Sequence, residues 1–194
     1  MGVETTQPSL LSRVRDAADL RAWTEFEAKY RDLILLYCRR RGLQQSDAED
    51  VRQIVMMNLS SALRQFRYCP TRGRFRSYLG RAVRNAITRQ AKIRAPGSID
   101  GALLASLEGP GDDDVWEQEW MNHHYRLAMA SIRETFDARS LEIFDRLLEG
   151  ESIRTIAMRF DMSEQAVHKV KQRLRSRLAE RIAEQIRDED DVDD

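Results

Sequence analysis

A chain of 194 residues can form one medium domain or two small ones, and few Gly and Pro beside many Leu, Ala, Arg and Glu favour helices over sheets. Two cysteines, Cys38 and Cys69, without CxxC spacing exclude a disulfide scaffold and a zinc ribbon, and no apolar run nears the ~20 residues of a membrane span. The formal net charge is zero, which would argue against a nucleic-acid partner if the charge were evenly spread.

It is not evenly spread. From Val51 to Ile99 there is no Asp or Glu, while Arg52, Arg64, Arg67, Arg72, Arg74, Arg76, Arg81, Arg84, Arg89, Lys92 and Arg94 are all basic. From Ala95 to Tyr125 there is no Lys or Arg, while Asp100, Glu108, Asp112, Asp113, Asp114, Glu117 and Glu119 are acidic. Basic charge returns between Lys169 and Arg181, and an acidic tail closes the sequence. Two cationic surfaces separated by an acidic spacer are the expectation.

The first predicted helix runs from about Asp19 to Arg41, where Trp23, Phe26, Tyr30, Leu33, Ile34 and Tyr37 recur at spacings of three and four. Arg39, Arg40 and Arg41 suit its C-terminal end, and Gly42 can take a left-handed cap. Ser46 with Glu49 reads as a capping box opening a second helix, whose stripe is Val51, Val55, Leu59, Ala62 and Phe66. Pro70 and Gly73 break the chain.

A third helix, Phe75 to Ile93, sets Leu79, Val83 and Ala86 on a narrow apolar face and Arg81, Arg84, Asn85, Thr88 and Lys92 on another. Around it Phe66, Tyr68, Phe75 and Tyr78 interleave with arginines, which suits neutralising a nucleic-acid backbone while stacking on unpaired bases. The same pattern also fits buried aromatics with solvated arginines.

Residues 96–114 read as a flexible acidic linker. Helices then resume with Trp116, Trp120 and Leu127, followed by Leu141, Phe144, Leu147 and Leu148 in a helix that stops at Gly150, and by two more from Ser152 to about Arg187. His123 and His124 diverge on a helix and have no further ligand at metal spacing, so no metal or other cofactor is expected.

The most restrictive pattern is IRTIAMRFDMSEQAVHKVKQ, Ile153 to Gln172, which fits a helix-turn-helix. Ala157 is the small residue at the helix crossing, while Ile153, Ile156, Phe160, Met162, Val167 and Val170 are the inward contacts. Asp161 takes the turn position where Gly is common. Ser163 is the N-cap of the second helix. Glu164, Gln165, His168, Lys169, Gln172 and Arg173 must then face outward, with chemistry matched to base edges, and Lys171, Arg175 and Arg177 to phosphates. The blander alternative is a helical hairpin with a solvated charged face.

DAEDVRQIVMMNLSSALRQF followed by GRFRSYLGRAVRN resembles region 2 of the sigma-70 family, and the helix-turn-helix resembles its region 4. The absence of an intervening third domain makes the extracytoplasmic-function group the nearest likeness. The resemblance implies an all-α fold of two small helical domains, residues 1–95 and 115–187, with an acidic tail at 188–194. It implies a non-enzymatic, cytoplasmic, monomeric subunit that guides core RNA polymerase to promoters, with an anti-sigma protein as a candidate partner. Region 2 would grip the β′ clamp helices through Asp47, Asp50 and Gln53, with Ile54 standing where the family has an acid, and region 4 would meet the β flap. Arg67, Tyr68, Arg72, Arg74, Arg76, Tyr78, Arg81, Arg84, Asn85, Thr88 and Lys92 would hold the opened −10 strand, and the helix from Ser163 would read the −35 duplex.

Two other classes compete. A DNA recombinase would need a strand-rich catalytic domain, for which residues 19–94 give no period. A stand-alone regulator would use the N-terminal helices to dimerise on a palindrome.

Overall fold

The computed structural model describes residues 9–63, 75–94 and 112–190, and every regular element among them is helical. The helices are α1 (Leu10–Arg13), α2 (Leu20–Arg40), α3 (Gln45–Ala62), α4 (Phe75–Arg94), α5 (Asp112–Thr135), α6 (Ala138–Leu148), α7 (Ile153–Arg159) and α8 (Glu164–Asp190). Packing divides the chain into two compact units, Met1–His123 with Arg187–Asp194, and His124–Ile186. No described helix is long and apolar enough to cross a membrane.

In the first unit, Asp19 caps α2 by accepting from Ala22 N at 2.9 Å, a contact that holds its carboxyl below the usual range. Gly42, at φ +85°, ends the helix as its lack of Cβ allows. The predicted face is buried at Phe26, Tyr30, Leu33, Ile34 and Tyr37, with Trp23 half-buried at its margin. Cys38 is buried there too, and desolvation pushes its thiol up to about 12.

The expected capping box of α3 does not form. Gln44 is the N-cap and makes no side-chain cap bond, so Ser46 lies within the first turn. Glu49 accepts instead from Arg52 Nε at 2.7 Å and Arg31 Nη2 at 2.9 Å, charge-assisted bonds that outcompete a backbone N–H. The stripe Val51, Val55 and Leu59 is buried and continues to Leu63, with Ala62 half-buried; Phe66 lies outside the described residues.

Trp116 and Trp120, expected to begin the second domain, are buried in the first. Tyr37 meets Trp116 edge-on at 5.1 Å, Tyr30 lies 6.2 Å from Trp120, and Phe75 joins them at 5.4 Å from Tyr30. Aromatic pairs of this kind contribute about 0.5–1.5 kcal/mol beyond their area. The division therefore falls within α5, later than residue 115, because the first core needs both indoles. Helix α5 also begins at Asp112, inside the span expected to be linker; residues 95–111 are outside the described ones.

The sequence's end belongs to this unit as well. Glu189, expected in a solvated tail, is 3% exposed, accepts from the Tyr30 hydroxyl at 2.7 Å and pairs with Lys29 Nζ at 2.8 Å. Burial and this carboxylate hold the Tyr30 hydroxyl well above its ordinary value. Helix α8 accordingly continues to Asp190.

The second unit has two apolar clusters. Met129, Ile132, Phe144 and Leu174 form one, and Ile143, Ile156, Ala157 and Val167 the other. Asp137 caps α6 through Ser140 N at 2.8 Å, which lowers its carboxyl, and Gly150 at φ +87° ends the segment. Leu148, expected on the apolar stripe, is exposed at the last turn.

Candidate nucleic-acid interface

Helices α7 and α8 join as the sequence pattern demands. Ser152 Oγ accepts from Thr155 N at 3.2 Å to start α7. Ala157 is buried at the crossing beside Ile156 and Val167, and Ile153, Phe160, Met162 and Val170 pack half-buried around them. Asp161 turns the chain at φ +48°, and Met162 N closes the turn on Ala157 O at 3.0 Å. Ser163 Oγ then accepts from Ala166 N at 3.1 Å, a cap worth about 1 kcal/mol.

With that side buried, Glu164, Gln165, His168, Lys169, Gln172 and Arg173 are exposed along α8, as is Arg175, while Lys171 and Arg177 are half-buried. His168, Lys171, Gln172 and Arg175 line a shallow groove. Arg173 differs from the expectation of free outward reach. Its guanidinium lies 5.4 Å from the Phe136 ring centre, donates to Ser140 Oγ at 3.0 Å, and sits 3.9 Å from Asp137. An aromatic face and the acidic cap of α6 together draw it back. Arg177 pairs with Glu180 at 3.0 Å.

On α4 in the first unit, Phe75, Leu79, Val83, Ala86 and Ile87 face the core. Phe75, one of the interleaved aromatics, is fully buried and is no stacking platform; Tyr78 is half-buried against the same core. Arg81, Asn85 and Arg89 are exposed. Thr88 is half-buried, and its hydroxyl donates to Arg84 O at 3.1 Å. Arg67, Tyr68, Arg72 and Arg74 and the side chain of Lys92 lie outside the described residues.

Two predicted contact arginines on α4 are engaged by the start of α5. Arg76 Nη1 is 2.8 Å from Glu117, and Arg84 Nη1 is 3.4 Å from Asp113. Between these pairs Trp116 lies against Gly80 and donates from Nε1 to Arg76 O at 3.1 Å. Residues 84, 80 and 76 thus meet 113, 116 and 117 in antiparallel order. Sequence reasoning missed this pairing, although Asp113 and Glu117, four apart on one helical face, carried the signal.

Of the predicted partner-binding residues on α3, Gln53 is exposed, and Asp47 and Asp50 are half-buried. Asp50 accepts from Gln90 Nε2 at 3.0 Å, which fixes its carboxylate against α4. Ile54 leans on the core, and Met57, one turn on, is exposed. Among the described residues no group of His, Cys, Asp or Glu is placed to hold a metal ion.

The family description Sigma-70 region 2 matches residues 28–95, a stretch that takes in most of α2 and all of α3 and α4. Neither the curated proteins nor the solved structures contain a match to the chain.

Proposed function

We propose that this chain, whose residues 28–95 match Sigma-70 region 2, acts as a sigma factor of the extracytoplasmic-function group, reading two promoter elements with its two units. Members of the family are non-enzymatic initiation factors that direct RNA polymerase to promoters. The observation that carries the finer reading is the combination of a matched region 2 with a fully formed helix-turn-helix, whose outward side chains on α8 are exposed.

Gln165, Lys169 and Gln172 are the proposed readers of base edges in the −35 duplex, with His168 and Glu164 beside them. Gln suits adenine and Lys suits guanine, at about 1–3 kcal/mol of discrimination for a good pair. Ser163 would open the reading helix as its cap, Arg173 would join the base readers after leaving Ser140, and Lys171, Arg175 and Arg177 would fix register on phosphates. In the first unit Arg81 and Asn85 are exposed for the −10 strand, and Arg67, Tyr68, Arg72, Arg74, Arg76, Tyr78, Arg84, Thr88 and Lys92 complete the proposed surface. Holding the separated strand favours opening without hydrolysis.

Core polymerase would be met on α3, by Gln53 with Asp47 and Asp50 at the β′ clamp helices, and by the second unit at the β flap. Ile54 stands where the family has an acid, and Met57, one turn on, is exposed, so this face carries apolar as well as polar groups. Restraint by an anti-sigma protein and a cytoplasmic, monomeric free state belong to the same reading. The stand-alone dimeric regulator is not favoured.

Run-off transcription with purified core polymerase on a genomic promoter library tests the proposal. The expected result is start-site selection that depends on the added chain and shares two spaced sequence elements. Unselective initiation, equal with and without the chain, would overturn it.

A further inference from the structure

The geometry points to a built-in electrostatic screen: the carboxylates of Asp113 and Glu117 occupy the phosphate sites of Arg84 and Arg76, so that the first unit binds single strands weakly until nucleic acid displaces them. The inference rests on reading α4 as a strand-binding surface.

The two sides of the screen differ in how firmly they are held. The start of α5 cannot leave α4 cheaply, because Trp116 and Trp120 are buried, and the Trp116 indole bonds Arg76 O. The acidic side chains are less constrained. Asp113 is 88% exposed and Glu117 is 41% exposed, and exposed ion pairs are exchanged at little net cost. A helix N-terminus also favours acidic residues near it, so the carboxylates are stable there before and after an exchange. A nucleic-acid phosphodiester carries the same single charge over two oxygens and offers the arginines an equivalent charge-assisted bond. The backbone therefore stays in place and the side chains are what yield.

The screen is partial by construction. Arg81, Asn85 and Arg89 remain exposed on α4 and would make first contact with a strand. Arg76 and Arg84 would engage only when a strand is held long enough to take over both carboxylate sites, as in an open promoter complex. Discrimination against stray single strands is the consequence.

The test is fluorescence anisotropy of a short labelled oligothymidylate with the full chain, comparing wild type, Asp113→Asn/Glu117→Gln, and a control that removes equal charge from α2 and the loop before it, Asp16→Asn/Asp32→Asn. The first variant should bind more tightly at low salt. It should also gain about 1.4 in log–log salt slope from two more phosphate contacts, an extra loss of about seven-fold between roughly 50 and 200 mM salt. The control should shift affinity only slightly and leave the slope unchanged. Arg76→Ala/Arg84→Ala added to the first variant should abolish the gain. Equal affinity and slope for wild type and first variant, with normal promoter selection, would overturn the screen alone. Loss of selection with polymerase, together with no strand binding by any variant, would overturn both the screen and the reading of α4.

Discussion

At Gly80 one missing atom decides how two helices meet. A Cβ there would lie 2.7 Å from Trp116 Nε1 and 2.8 Å from Cε2, on a rigid ring that is itself buried. Gly80→Ala gains about 1 kcal/mol in helix propensity but loses about 1–3 kcal/mol in overpacking, and it also strains the indole bond to Arg76 O. The expected outcome is net destabilisation of about 1–2 kcal/mol, read as a lower Tm in thermal unfolding followed by tryptophan fluorescence. A variant as stable as wild type would show that α5 is not seated on α4 as described. Gly80 gave no signal in the sequence beyond weakening a helix. Gly42 and Gly150 were legible or nearly so, since each follows a periodic run and needs no partner to explain it.

Elements were most legible where the constraint is local. The face of α2 and the inward residues of α7 and α8 follow from spacing alone, and Ser163 forms the cap assigned to it. The capping box at Ser46 failed because Arg31, eighteen residues earlier than Glu49, competes for the carboxylate. Arg173 was assigned outward by the same rule that placed Lys169 correctly, yet the Phe136 ring and Ser140 recapture it. On the proposed reading, the exposed Lys169 of α8 would contact a base edge and the half-buried Lys171 a phosphate. Lys169→Ala should change the ranking of −35 sequences in a competition binding assay with polymerase, by about 1–3 kcal/mol at one position. Lys171→Ala should weaken all sequences alike and lower the salt slope by about 1. The reverse pattern would exchange the two assignments.

Across the whole molecule, zero net charge arises from blocks that partly pair with each other rather than from an even mixture. The acidic stretch was read as a solvated spacer, but Asp113, Glu117 and Glu119 meet Arg84, Arg76 and Arg40. Which blocks touch is a property of tertiary packing: the four-residue spacing of Asp113 and Glu117 marks a charged helical face but not the arginines that it meets. The same holds for Glu189, whose partners Tyr30 and Lys29 stand about 160 residues earlier. Trp23, Trp116 and Trp120 are the chain's three tryptophans, and all lie in the first unit, so their emission reports that unit's unfolding. Ending the chain at Ile186 should lower this transition by about 1–3 kcal/mol, because a buried, charge-assisted pair of contacts is lost. Glu189→Ala in the full chain should reproduce most of the loss, whereas Asp188→Asn, at an exposed neighbour, should not. An unchanged transition in both the truncated chain and Glu189→Ala would mean that the acidic end is held by solvent rather than by the first core.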